Sequence, residues 1–164
     1  MVRLEPEKQG FRLLHDRRWF VTRQSRETTT LRCVDRGDVL AQCTITSLPP
    51  KSAGYQTTLE EFERDIRFAL KENFRELVSS RQWTNSFGHH CLEVVVRGVA
   101  EEVPIEWHYY LVAPESGSRV SLAVTIQGEM VSRFAAADRQ LVNALELVPA
   151  TSSPQTAARD GAHR

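Results

Sequence analysis

The chain has no run of apolar residues approaching the roughly 18 that a membrane-spanning helix requires. The opening MVRLEPEKQG lacks the apolar core of a secretory leader, so the sequence as written is expected to be cytoplasmic, either entire or as a domain of a longer protein. Cysteine is scarce: Cys33, Cys43 and Cys91 are odd in number and match no zinc spacing. That excludes a disulfide framework and suits a reducing compartment. Net charge is also missing, because 21 basic residues balance 21 acidic ones. No global field therefore draws the chain to nucleic acid or to an anionic membrane. The sequence holds no phosphate-binding loop, no dinucleotide-binding glycine pattern and no serine elbow.

What is present is one domain's worth of chain. Its 164 residues, 41% of them hydrophobic, suffice for a core without metals or cross-links. Residues 1–9 are polar and expected to be loose, residues 10–148 form the domain, and the small polar tail 149–164 is expected to be disordered. The domain opens with strands: Phe11 and Leu13 alternate with Arg12, and WFVTRQS resumes after the break at HDRR. TTTLRCV and VLAQCTITSL flank DRGD, where Gly37 can take the positive φ of a tight hairpin. A helix follows, capped by Thr57 or Thr58 with Glu60 or Glu61 three residues on. Its apolar face is Leu59, Phe62, Ile66, Leu70 and Phe74. HHCLEVVVRGV, PIEWHYYLVA and RVSLAVTIQG read as further strands, and a closing helix carries Phe134, Ala137, Leu141 and Leu145 inward. Successive hairpins pair antiparallel, so the fold class is α+β: a largely antiparallel sheet of six to seven strands with two main helices packed on it.

The order of these elements resembles the PsbP-like family, which includes a photosystem extrinsic protein, a Ran-binding nuclear-import factor and bacterial proteins of unassigned role. The likeness rests on Phe11 and Trp19, on TLEEFERDI (58–66), on EWHYYLVAPESGSRVSLAVTI (106–126) and on RFAAADRQLVNALEL (133–147). It spans nearly the whole domain. One departure is local: relatives usually carry a Pro-acid-Gly turn before the Trp, where this chain has His15-Asp16-Arg17-Arg18. The resemblance implies an α/β/α sandwich with a binding, chaperone or assembly role, and not an enzyme. It carries over no metal, cofactor or partner site.

The stretch GFRLLHDRRWFVTRQSR (10–26) holds five arginines and a histidine against one aspartate. A single-strand nucleic-acid platform needs aromatics exposed beside the charges. Here the alternation turns Phe11 and Trp19 inward and leaves the arginines in solvent, so no nucleic-acid partner is expected; Arg17 and Arg18, at the turn, remain candidate binding residues. Arg36-Gly37-Asp38 is turn chemistry rather than an adhesion motif. His89 and His90 face opposite sides of one strand, so at most one could join His108, too few for a zinc site. Each cysteine lies within a strand pattern rather than at a helix start that would favour a thiolate. The aromatics without an obvious partner are Tyr55, Trp83 and Phe87 in loops, and Tyr110 beside Trp107 and Tyr109; these are the candidate interface anchors. The expected function is a non-catalytic protein-binding, adaptor or chaperone-like module with an unidentified protein partner, no cofactor and no membrane insertion. The alternative is a carrier of a small apolar or lipid ligand between sheet and helix. A cavity lined by Phe62, Ile66 and Trp107 would favour the carrier, and a filled core with an exposed aromatic patch the module.

Overall fold

A computed structural model describes residues 1–50, 56–115 and 117–148. Among these residues ten strands form two sheets. The strands are β1 (Val2–Leu4), β2 (Phe11–His15), β3 (Trp19–Gln24), β4 (Thr28–Asp35), β5 (Asp38–Leu48), β6 (Phe74–Thr84), β7 (His90–Ala100), β8 (Val103–Ala113), β9 (Arg119–Gln127) and β10 (Leu145–Leu147). Seven make an antiparallel sheet in the order β3-β4-β5-β9-β8-β7-β6, and three make a small antiparallel sheet, β1-β2-β10. The described residues also form three α-helices: α1 (Leu59–Leu70), α2 (Val131–Phe134) and α3 (Ala137–Asn143). The expected α+β class holds.

The large sheet buries both faces, as its alternation dictates. In β9, Val120, Leu122, Val124 and Ile126 join a core with Leu31, Cys43, Tyr110, Phe134 and Leu141, under α2 and α3. On the other face Val94, Val96, Ile105 and Trp107 pack with Ile66 of α1. Strand β7, next to the β6 edge, is therefore buried at six successive positions, 91–96. Trp19 is buried as expected and meets Phe134 edge-on, with centroids 5.9 Å apart. The hairpin turn also forms as expected: Arg36 and Gly37 both take positive φ, 51° and 82°, the pattern of a two-residue turn that matches strand twist. Thr58 caps α1, accepting a hydrogen bond from the Glu61 backbone N–H at 3.2 Å. All three cysteines are buried free thiols, and burial pushes the Cys33 thiol up to about 11 and the Cys91 thiol up to about 12.

Four expectations need correction. Residues 1–9 are not all loose: Val2–Leu4 pairs with β2, and Leu4 is buried. Gln9 is buried too; its amide donates to the Ser25 carbonyl at 2.9 Å and accepts from the Thr29 hydroxyl at 2.7 Å. Helix α1 stops at Leu70, where Lys71 turns to φ 50°, so Phe74 begins a strand instead of extending the helical face. That strand, β6, was not anticipated. It is an edge strand with two bulges, and those break the alternation that would have marked it. The closing helix is split by Ala135 and Ala136, both left-handed at φ 48° and 62°. Helix propensity favours continuity through three alanines, but Phe134 and Asp138 each anchor separately on the sheet, and tertiary contact wins. Phe134, Ala137, Leu141 and Leu145 are all buried, although Leu145 belongs to β10. The tail 149–164 lies outside the described residues.

The turn from α1 into β6 rests on one glycine. A Cβ on Gly98 would sit 1.8 Å from the Asn73 carbonyl oxygen and 2.9 Å from the Trp107 ring. Backbone cannot yield as a side-chain tip can. Gly98→Ala is expected to destabilise the protein by about 3 kcal/mol or more, whereas Phe68→Ala, at an exposed position on α1, should stay within about 0.5 kcal/mol. Urea melts of both variants measure the contrast.

Candidate functional site

Among the described residues, the outer face of the small sheet is shaped to hold something. A cavity of about 330 Å³ opens there, lined by Arg3, Arg12, Leu13, Leu14, Phe87, Ala144 and Glu146. Strand alternation makes it. Phe11, Leu13 and His15 point into the core, so Arg12 and Leu14 must point out, and Leu14 is 46% exposed. Arg3 lies opposite Leu14 in the register, and Glu146 opposite Arg12. The Arg12 guanidinium donates twice to the Glu146 carboxylate, at 2.7 and 2.9 Å. Those hydrogen bonds hold the Glu146 carboxyl below its ordinary range. The result is an apolar floor with a charged rim, and Phe87 forms one wall.

Phe87 reaches this position through Asn85, in the turn between β6 and β7. The Asn85 side chain is buried and donates to the carbonyls of Val142 and Leu145, at 3.1 and 2.9 Å. Its oxygen accepts from the backbone N–H groups of Phe87 and His89, at 3.0 and 3.1 Å. One amide thus joins the turn to the end of α3 and the start of β10. His89 stacks on Phe87 and accepts from the Leu147 N–H through Nε2 at 3.0 Å. Burial lowers the His89 pKa despite the opposing pull of Glu146, which favours the neutral ring that this bond requires.

Beneath α3 lies a second polar assembly. Asp138, buried, accepts from His108 Nδ1 at 2.6 Å and from the Tyr110 hydroxyl. The other His108 nitrogen donates to Glu106 at 2.7 Å, and Glu106 also pairs with Arg97 at 2.9 Å. Nearby, buried Glu93 takes Arg81 at 2.9 Å and Arg139 at 3.4 Å. Burial alone would lower the His108 pKa; the bonds and charges of Asp138 and then Glu106 outweigh it, and the pKa is raised. A ring that gives both N–H groups to carboxylates is a cation, with no lone pair for a metal or for general-base work. Its chemistry is that of a tie between β8 and α3.

The sequence candidates scatter. Phe87 alone joins the cavity, 47% exposed. Trp83 is half-buried; its Nε1 donates to Asn143 at 3.0 Å and the Arg81 guanidinium lies 4.6 Å over its ring. Tyr110 is corrected outright. It is fully buried, because its phase of β8 faces α3, and it meets Trp83 edge-on, centroids 6.2 Å apart. Arg17 is exposed at the turn, while Arg18 binds Asp16 at 3.1 Å and donates its backbone N–H to the same carboxylate. Asp16 thereby supplies the turn contact in a segment without glycine. Tyr55 lies outside the described residues. Asp38 of the Arg-Gly-Asp turn pairs with Arg133 at 2.8 Å. Sequence reasoning missed Arg3, Arg12, Leu14 and Glu146. The outward phase of Leu14 was available as a signal, but the pairing of Arg12 with a residue 134 positions away was not.

Two measurements test this geometry. Asn85→Ala is expected to cost about 2–3 kcal/mol, since it strands buried backbone groups, and to speed amide exchange at Phe87 and His89. The histidines should act in opposite senses with pH. His108, raised, contributes stability that is complete below its ordinary value near 6.5 and lost as pH climbs through its folded value. His89, lowered, contributes stability that is complete above about 6.5 and lost as pH falls. The stability gap between wild type and His108→Gln should therefore narrow with rising pH, and that for His89→Gln should narrow with falling pH.

No protein-family model matches the chain, and no curated protein does. Solved structures do. A crystal structure from Bacteroides thetaiotaomicron is 13% identical with a TM-score of 0.60; the match covers 97% of this chain but 57% of that one, so the chain spans little more than half its length. The solution structure of the cyanobacterial PsbP protein CyanoP, from Synechocystis, is 10% identical with a TM-score of 0.65, covering 89% of this chain and 91% of that one. LpqN of Mycobacterium tuberculosis, a protein involved in cell envelope biogenesis, is 10% identical with a TM-score of 0.60 and 90% coverage of both chains. At such identities the likeness is one of architecture, and the architecture it establishes for this chain is the PsbP-like fold.

Proposed function

We propose that this protein is a non-catalytic protein-binding module of adaptor or chaperone-like character, and that its binding site is the cavity on the outer face of the small sheet. The observation that carries the reading is the pairing of two exposed apolar side chains, Leu14 and Phe87, around about 330 Å³ of open space lined also by Arg3, Arg12 and Glu146. An apolar anchor ringed by polar groups is the usual composition of a protein-binding hot spot. Arg3 and Arg12 are held by Glu5 and Glu146, so the surface favours a partner segment that presents an apolar side chain. Three buried free thiols suit the reducing cytoplasm expected from the sequence.

The carrier alternative has less support. Where a ligand would lie between sheet and α1, Ile66, Val94, Val96, Ile105 and Trp107 pack as one cluster, with Phe62 against it. Among the described residues no helix is long and apolar enough to cross a membrane.

A photo-crosslinking residue placed at Phe87, in the full chain expressed in its own host, should capture a discrete protein. The same residue at Glu102, in the turn between β7 and β8, should not. With the partner purified, Leu14→Ser should weaken binding at least about tenfold, some 1.4 kcal/mol, without lowering the melting temperature. Equal capture at both positions, or affinity indifferent to Leu14→Ser, would discard the cavity as the site.

A further inference from the structure

The large sheet ends in two edges of unlike construction. Strand β6 carries two bulges, a recognised way of blunting an edge, and lies at the rim of the face that α1 covers; β3 carries one, at Thr22. Among the described residues, strand β3 has β4 on one side and no strand on the other. After Trp19 every residue of β3 is exposed, including Phe20 at 54% and Val21 at 40%.

The backbone of β3 has groups to offer. The Val34 N–H donates to the Arg18 carbonyl at 2.7 Å, and the register runs Trp19 to Cys33, Phe20 to Arg32 and Val21 to Leu31. Bonded and non-bonded pairs alternate in an antiparallel ladder. Phe20 therefore shares its bonds with Arg32, while Val21 turns its N–H and C=O away from β4. Past the bulge at Thr22, the Ser25 N–H donates to the Thr28 carbonyl at 2.8 Å, so Gln24, opposite Thr29, also turns its groups outward. A stretch of about six residues can add a strand there, at roughly 3.3 Å per residue.

Charge selects the occupant. Arg17, Arg23, Arg26 and Arg32 surround this edge, and among the described residues none of them is in a salt bridge. Of the nearby acids, Asp16 is bound by Arg18 and Asp35 by Arg133, and Glu27 is left to oppose four arginines. A second copy of the chain would set arginine against arginine across a β3–β3 pair, a destabilising arrangement. Nucleic acid would answer the charge but not the row of alternating donors and acceptors, since phosphates only accept.

We propose that β3 is a strand-addition site for an extended, acidic segment of a partner protein, with Val21 packing its apolar side chains on one face and Arg23 and Arg32 meeting its carboxylates on the other. The surface is independent of Leu14 and Phe87.

The probe is a labelled seven-residue peptide alternating glutamate and valine, titrated by anisotropy against the full chain. Binding in the range of about 10–100 μM is expected, weakening with salt, with slowed amide exchange at Val21 and Gln24. The lysine–valine counterpart should not bind. Arg23→Glu with Arg26→Glu should weaken the glutamate peptide at least about tenfold. Val21→Pro should do the same: it deletes a donor aimed at solvent, a position where an edge strand tolerates proline. Should that variant fail to fold, N-methylation of alternate peptide residues removes the same ladder from the other side and should abolish binding. The proposal is overturned if the peptide fails to bind at about 1 mM, if N-methylation or Val21→Pro leaves affinity intact, if single-stranded DNA binds more tightly, or if the free chain sediments as a dimer that β3 substitutions dissolve. Leu14→Ser should leave this binding unchanged, so failure here leaves the cavity reading standing.

Discussion

One buried carboxylate holds the second half of the molecule in place. Asp138 sits in the first turn of α3 and takes both His108 and Tyr110 from β8. That contact fixes where α3 lies on the sheet. The helix end then presents Asn143 to Trp83 and the Val142 carbonyl to Asn85, which also takes the Leu145 carbonyl at the start of β10. From there β10 runs into β2, and the small sheet with its cavity exists because it does. Removing one member of a buried ionic set costs several kcal/mol, since the remaining charge is stranded, whereas a well-packed apolar replacement of the whole set can be neutral. The network is better understood as a device for position than as a store of stability.

The two proposed binding surfaces differ in how they are made. The cavity is assembled from four separate places in the chain, β1, β2, the β6–β7 turn and the α3–β10 segment, so its geometry depends on the whole fold. The β3 edge is local: one exposed strand with arginines at and around it. Partners of the two surfaces would respond differently to destabilisation, the first losing its site with the docking of α3 and the second retaining it until the large sheet opens.

What could be read from the sequence was what local chemistry decides. Thr58 caps a helix, Gly37 permits a tight turn, and the strict alternation of β9 places Val120 to Ile126 inside, because each depends on neighbours a few residues away. Trp19 faces inward for the same reason. Features resting on distant partners stayed hidden. Tyr110 read as an unpartnered aromatic because its partner, Asp138, lies 28 residues on, in a helix whose break no propensity predicts. β6 stayed hidden because bulges scramble its alternation, and the end of α1 because a glycine in β7 decides it. Of the site, Phe87 was legible as an aromatic in a turn, while the Arg12–Glu146 clamp was not.

That clamp has a mechanical meaning. Strands β1 and β10 both run antiparallel to β2, hence parallel to each other, with Val2 beside His15 and Leu147 beside Phe11. Tension applied across residues 2 and 148 would pull the outer strands in opposite directions along their own axes. Their hydrogen bonds to β2, and the twofold grip of Arg12 on Glu146, would then carry the load together in shear instead of parting one at a time as in a zipper. Built this way, the small sheet is a latch between the two ends of the domain, and a chain pulled by those ends resists until the whole latch slips.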